Sequence, residues 1–346
     1  MNKDNQKNLR KQVIPYEKSF LKASIIQMIN TLVPFFFLWV LAYKSLTISY
    51  ALTLFLCIVA SGFLVRTFII FHDCCHYSFF KNRKYNKILG SITGILTFFP
   101  YSQWQHDHAV HHATSSNLDK RGTGDIWVLT VEEYLQSSPL TKLAYRLYRN
   151  PLVMFGLGPI YLILLKNRFN RKGARIKERV NTYLTNVAIV AILFILMKGI
   201  GWEAVLLVHG PIIYIAGLAG IWLFYVQHTF EDSYFDEDEH WSYVKAAVEG
   251  SSFYKLPKML QWITGNIGYH HVHHLSPRVP NYKLEEVHNN TLPLQSVPTI
   301  TIKTSLESLR FRLWDEENEK FVGYGAVKAL TAKAKGSKRV VYQQNE

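Results

Sequence analysis

Nine of the 14 histidines in this 346-residue chain fall into a pattern that could ligate metal. His72 and His76, in Phe71-His72-Asp73-Cys74-Cys75-His76, are four apart, which on a helix puts both imidazoles on one face. His108, His111 and His112 form His-x-x-His-His, and His270, His273 and His274 repeat it. His228 stands apart in Val226-Gln227-His228-Thr229. Neutral imidazole suits iron, copper, zinc and nickel. One tetrahedral zinc uses about four ligands, so nine imidazoles fit two ions of about five or six positions each, with room for water or oxygen. Two adjacent, nitrogen-ligated, redox-capable ions point to di-iron oxygen chemistry. No His-Glu-x-x-His of the zinc-protease kind is present, and Cys57, Cys74 and Cys75 form no Cys-x-x-Cys.

A metal-bound histidine usually donates its second N–H to a carboxylate or carbonyl. Asp73, Asp107, Asp125 and Asp232 are the candidates by proximity in sequence. Asn266, four before His270, is a candidate for the same helical face as the ligands. His106 and His271 lie off the box pattern and are expected behind the ligands, as second-sphere or surface residues; His240 and His288 are read the same way. His209, inside an apolar stretch, is expected to be a packed polar residue or part of a substrate tunnel.

The elements that must position these residues are apolar. Residues 24–43, 47–71, 180–197 and 204–226 are long, nearly uncharged stretches without strand alternation. Roughly 20 such residues cross the ~30 Å hydrocarbon layer, and a segment apolar all round suits lipid. The shorter stretches 88–100 and 151–165 are expected to be interfacial or re-entrant. If 88–100 crossed, the second histidine box would be stranded on the opposite side from the other two.

The formal charge is +14, from 39 basic and 25 acidic residues. Lys and Arg concentrate in residues 1–23, 72–179 and 227–346, and the links within the two helix pairs hold almost none. The positive-inside rule then puts both termini and the metal site on the cytoplasmic side of the cell membrane. No nucleic-acid motif accompanies the basic excess. The run Lys166–Arg179 and the acidic run 231–240 are both expected to be solvated loops. The expected fold is all-α: an integral membrane protein with four transmembrane helices in two hairpins, short interfacial helices, and a cytoplasmic cap carrying the His-rich di-metal site. The expected segments are 1–23 (cytoplasmic), 24–71 (helix pair 1), 72–179 (boxes 1 and 2), 180–226 (helix pair 2) and 227–346 (box 3 and tail).

HDCCH, HDHAVHH and HHVHH, flanked by apolar helix pairs, resemble the membrane fatty-acid desaturases over roughly residues 25–290. VQHT before the third box and HHLSPRVPNY after it resemble the acyl-lipid branch. The likeness is nearest to the Bacillus acyl-lipid Δ5 desaturases, in HDCCHYSFFK, HHATSSNLDKRGTGDIW and GNIGYHHVHHLSPRVPNYKLE. The resemblance implies two non-haem iron ions held by the eight box histidines with His228. It also implies O2 as oxidant, two electrons from a ferredoxin or flavodoxin, and a cis double bond inserted into phospholipid acyl chains to keep membranes fluid in the cold. The His-Pro-Gly-Gly of a fused cytochrome b5 domain is absent, so a separate carrier is expected, and a basic surface would steer an acidic one. His106, two before box two, departs from the family pattern.

An unactivated methylene has no acidic proton and no leaving group, so the metal must carry the hard chemistry while the protein positions the chain. The position of His72 and His228 at two helix ends suggests an acyl tunnel lined by the second and fourth apolar helices. A membrane di-iron hydroxylase or ketolase would share the boxes. A metal-binding sensor or transporter would place more ionisable residues within the helices than Arg66 and His209. A hydrolase with a single zinc is the third alternative.

Overall fold

The computed structural model describes residues 3–327. Four long helices dominate: α2 (Leu21–Ser45), α3 (Tyr50–Cys75), α9 (Ile176–Ile200) and α10 (Trp202–His228), following a short N-terminal α1 (Lys3–Val13). They coincide with the four apolar stretches, and each is long and apolar enough to cross a membrane. Lipid offers no hydrogen bonds to a backbone, so each crossing segment satisfies its own amides as helix. α2 and α3 form the first hairpin, closed by a buried hydroxyl pair, Ser45 and Thr53, 2.8 Å apart. α9 and α10 form the second, turned at Gly201, whose φ of 88° is the left-handed geometry glycine adopts freely. Ile29, Phe37, Val187, Ile195 and Leu206 remain exposed, as lipid-facing side chains do.

The two shorter apolar stretches do not run the length of their neighbours. α4 (Arg83–Thr97) lies against the end of α3. Gly90 opposes Cys74 and Gly94 opposes Phe71, so the two run antiparallel. α4 then stops at Phe98, in the left-handed region at φ 66°, and the chain returns through α5 (Tyr101–Thr114). A side chain on Gly90 would collide with the Tyr101 ring, which lies 2.3 Å from where a Cβ would stand. The α4 turn is held by Arg168, whose guanidinium donates to the Phe98 carbonyl and to Asn186. Arg171 meets Asp107 and Glu178. The run 166–179 is therefore not the solvated loop expected, because two of its arginines have structural partners.

α7 (Pro139–Tyr148) follows the short α6 (Val131–Gln136), and the helical segment after α7 bends from it by 63°. That segment includes α8 (Gly158–Leu164), which packs on α10 through Gly158 against Ile221 and Gly217 against Pro159.

The remainder caps the histidine-bearing ends of the long helices. It contains α11 (Tyr243–Glu249), α12 (Lys258–Ile263), α13 (His270–Leu275) and α14 (Leu284–Asn290). Two small ladders interrupt the all-helical pattern: β1 (Phe253–Lys255) pairs in parallel with β2 (Thr299–Thr301), and β3 (Leu313–Asp315) pairs antiparallel with β4 (Lys320–Val322). One buried cluster, including Val13, Val248, Val272, Leu275, Val287 and Leu294, joins α1, α11, α13 and α14 and seats the third histidine box.

Candidate metal centre

α3 and α10 end at the same level, and their last turns bring His72 and His228 toward the cap. α5 carries the second box between them, and α13 brings the third box down from the cap. Two groups of imidazoles result. His72, His76, His108, His112 and His273 place one ring nitrogen each within 4.8 Å of one another. His111, His228 and His274 do the same. His270 joins the second group, with its Nε2 2.9 Å from His228 Nε2. The groups adjoin: the His112 and His274 rings are 4.3 Å apart.

The nitrogens face one another rather than protein partners. Nε2···Nε2 separations are 3.0 Å for His72 and His108, 3.1 Å for His108 and His112, and 2.9 Å for His112 and His273. Nε2 of His76, His111 and His274 is buried without a hydrogen-bond partner. A buried polar atom left unpaired costs about 1–3 kcal/mol, so a converging set of them fits a cation at the centre of each group. Burial, reinforced by neighbouring rings, holds His76, His108, His112, His270, His273 and His274 well below the usual imidazole pKa. They are neutral, the form that ligates metal.

The backs of the rings are fixed too. His111 Nδ1 is hydrogen-bonded to the Asp125 carboxylate. Asp125 also accepts from Gly122 N at 3.1 Å. Gly124, at φ 79°, lets the loop pass the Asp107 carbonyl, which would lie 2.7 Å from a Cβ there. His72 Nδ1 lies 3.4 Å from one Asp73 oxygen, and the other accepts from the backbone and side-chain N–H groups of Asn281, both at 2.8 Å. His228 Nδ1 faces the Gly250 carbonyl at 3.3 Å. Of the four proposed carboxylates, Asp73 and Asp125 meet box histidines. Asp107 faces Arg171 instead, and Asp232 is exposed.

One expectation changes, that for Asn266. Asn266 is not on the helix of His270: it stands in the turn before α13 at φ 57°, and its amide donates to the Asn281 carbonyl at 3.3 Å. His271 lies on the far side of α13, with Nε2 3.1 Å from His288 Nδ1. His106 is half-buried next to Asp107 and belongs to neither group. The acidic run is also more than a solvated loop. Asp236 exchanges backbone hydrogen bonds with Ser116 and Leu118, and Asp238 pairs with Lys120 at 2.6 Å, which straps down the chain leaving α5. Trp104, not singled out in the sequence, stacks on His108 with ring centroids 4.2 Å apart. It sits four before His108, the one signal that could have found it.

An apolar groove of about 330 Å³ opens among the long helices, lined by Phe36, Trp39, Ile95, Phe98, Ile192 and His209. It draws on α2, α4 and α9, with His209 from α10. The expected lining by the second and fourth apolar helices is thus only partly met, because the end of α4 lies where α3 would face the groove. Aromatic rings continue from there to the centre: Phe99 packs on Phe68 at 4.9 Å, and Phe68 on Trp104 at 5.4 Å.

Four membrane-crossing helices with a buried, paired imidazole cluster at one end define a multi-pass membrane protein built to hold metal. Residues 47–301 match the family model described as fatty acid desaturase, and the chain belongs to that family of oxidoreductases. It is 68% identical over 325 residues to a fatty acid desaturase of Bacillus subtilis (strain 168), covering 94% of this chain and 92% of that one. It is 26% identical over 238 residues to the sn-1 oleoyl-lipid 12-desaturase of Synechocystis, covering 66% of this chain and 64% of that one. It is 26% identical over 232 residues to the sn-1 acyl-lipid omega-3 desaturase (ferredoxin) of Nostoc, covering 63% and 61%.

Proposed function

We propose that the chain is a di-iron acyl-lipid desaturase that inserts a cis double bond, at Δ5, into phospholipid acyl chains of the cell membrane. The observation that carries this reading is the pair of adjoining imidazole groups at the end of the membrane helices. His72, His76, His108, His112 and His273 would hold one iron, and His111, His228, His270 and His274 the other. All-nitrogen ligation of two ions suits redox iron better than a single structural zinc. When bound, an iron pair supplies O2-dependent removal of hydrogen from an unactivated –CH2–CH2– unit. Overall, one O2, two electrons and two protons accompany the change to –CH=CH–, with two waters released.

The residues of the chain do the rest. Asp73, Asp125 and the Gly250 carbonyl orient ligand rings. Phe68, Phe71 and Trp104 pack the lipid side of the first group and exclude water. The groove beneath receives the distal part of the chain. The Δ5 position rests on the resemblance of the sequence motifs alone.

The basic distribution supports cytoplasmic termini and a cytoplasmic metal centre. A ferredoxin or flavodoxin would bring electrons there, as the printed name of the Nostoc relative indicates for that protein. The proposed role is to restore membrane fluidity in the cold. The segments 1–23, 72–179 and 227–346 would then form the cytoplasmic part and 24–71 and 180–226 the embedded part; residues 328–346 lie outside the described residues.

The test is gas chromatography, with double-bond location, of fatty acids from cells expressing the chain. New cis-Δ5 acids in the phospholipid fraction support the reading. An alcohol in place of the alkene would establish the hydroxylase alternative.

A further inference from the structure

From Lys18 to His106 the chain has one carboxylate, Asp73, against eight Lys and Arg residues. That carboxylate is buried and committed to Asn281 and His72. Four of the cations, Lys81, Arg83, Lys84 and Lys87, are exposed around the first turn of α4, directly after the turn that follows His76. Lys18 and Lys22, also exposed, are brought to the same place. Ser24 Oγ donates to the Phe79 carbonyl at 2.6 Å, and Phe20 N donates to Tyr282 Oη at 2.8 Å.

Some exposed cations elsewhere have partners: Lys120 with Asp238, Lys258 with Glu285, Arg278 with Glu17. Among the described residues none of these six cations forms an ion pair. Cations in the first turn of a helix also oppose its macrodipole. The patch leaves a concentrated positive charge open to an anion.

What adjoins it decides which anion. Phe20 is 54% exposed, Leu21 64%, Tyr85 57%, Ile88 49% and Ile92 51%. Tyr85, Ile88 and Ile92 share the outer face of α4 at three- and four-residue spacing. An acidic electron carrier would meet the charge alone, whereas the stripe, like the other exposed apolar side chains, suits lipid. An anionic lipid satisfies both, because its phosphate and its hydrocarbon arrive together.

We infer that the basic face formed by Lys18, Lys22, Lys81, Arg83, Lys84 and Lys87 is a binding site for anionic phospholipid. It presents such lipids, in preference to zwitterionic ones, next to the first histidine group. The inference rests on the phospholipid-substrate reading above and adds the headgroup class.

The experiment uses the full, iron-loaded chain purified from membranes containing phosphatidylglycerol and phosphatidylethanolamine, and counts each lipid retained by mass spectrometry. Wild-type protein should retain phosphatidylglycerol several-fold above its share of the membrane, with the excess falling as salt rises. K81Q/R83Q/K84Q/K87Q should retain it in proportion, while K81R/K84R/K87R should keep the excess. Equal retention by wild type and the glutamine variant overturns the site. So does a glutamine variant that keeps the lipid but turns over more slowly with reduced flavodoxin, which would mark a carrier surface. Retention is read without turnover, so it is separate from failure of the desaturase reading, which the absence of a Δ5 product alone would reveal.

Discussion

His111 is hydrogen-bonded through Nδ1 to Asp125, fourteen residues later, and this bond turns its Nε2 toward the second histidine group. The carboxylate sets both the ring's orientation and its tautomer. Loss of such a supporting carboxylate typically costs about 10–100-fold in metal affinity or activity. On the proposed di-iron reading, Asp125→Asn should therefore lower iron retention and desaturated product by about that factor while leaving the helix content unchanged. Iron analysis of the purified variant alongside fatty-acid chromatography checks this. Full iron content and full product would remove Asp125 from the site.

The two imidazole groups predict which ion each histidine governs. His76→Ala removes a nitrogen from the five-membered group, and His228→Ala one from the other. On the proposed di-iron reading, each variant should hold about one iron fewer per chain and make no detectable desaturated product. Iron counting with Mössbauer spectra should show a different remaining environment in each. Identical spectra from both variants would mean that the groups are not separate sites.

The groove makes a prediction about chain length. Ile192 and Trp39 face the space that the distal carbons would occupy. Ile192→Trp should fill part of it and lower product from 18-carbon chains several-fold relative to 14-carbon chains. Chromatography of products by chain length decides the point; an unchanged ratio would place the acyl chain elsewhere.

His271 carries one share of the acid lability that buried neutral histidines give the metal-free protein. Burial, with His288 as neighbour, pushes its pKa down to about 3 from the ordinary 6.5. The unfolded chain therefore binds this proton more readily than the folded one. The contribution to stability is full above pH about 6.5 and is lost progressively as pH falls from there toward 3. Metal-free protein should show a lower Tm at pH 5 than at pH 7.5. His271→Phe should shrink that difference, measured by thermal unfolding in detergent at the two pH values.

Much of this was legible in the sequence because lipid and metal both impose strict patterns. Four apolar stretches read as helices because hydrocarbon permits little else, and the three- and four-residue spacings aimed the histidines along shared faces. The need to keep box two beside the others ruled out a crossing at 88–100, and α5 does return box two to the cluster that holds the others. What stayed hidden depended on partners far away in the chain. Asp73 and Asp125 could not be ranked above Asp107 and Asp232, because the choice rests on Asn281, 208 residues from Asp73, and on a left-handed glycine at 124. Asn266 was misplaced because the helix of box three starts at His270 itself, so counting back by four left the helix. The groove lining was misjudged because α4 intrudes between helices that sequence alone sets side by side.

α5 sends His108 and His112 to one group and His111 to the other, and α13 likewise divides His273 from His270 and His274. Two short helices thus straddle both positions, and neither can rotate for one without disturbing the other. Filling one position fixes the rods that frame its neighbour, so the second ion meets a scaffold whose ordering cost is already met. Iron at one position should accordingly raise the affinity of the other, so the His76→Ala and His228→Ala variants should hold their remaining iron more weakly than the wild-type chain holds either.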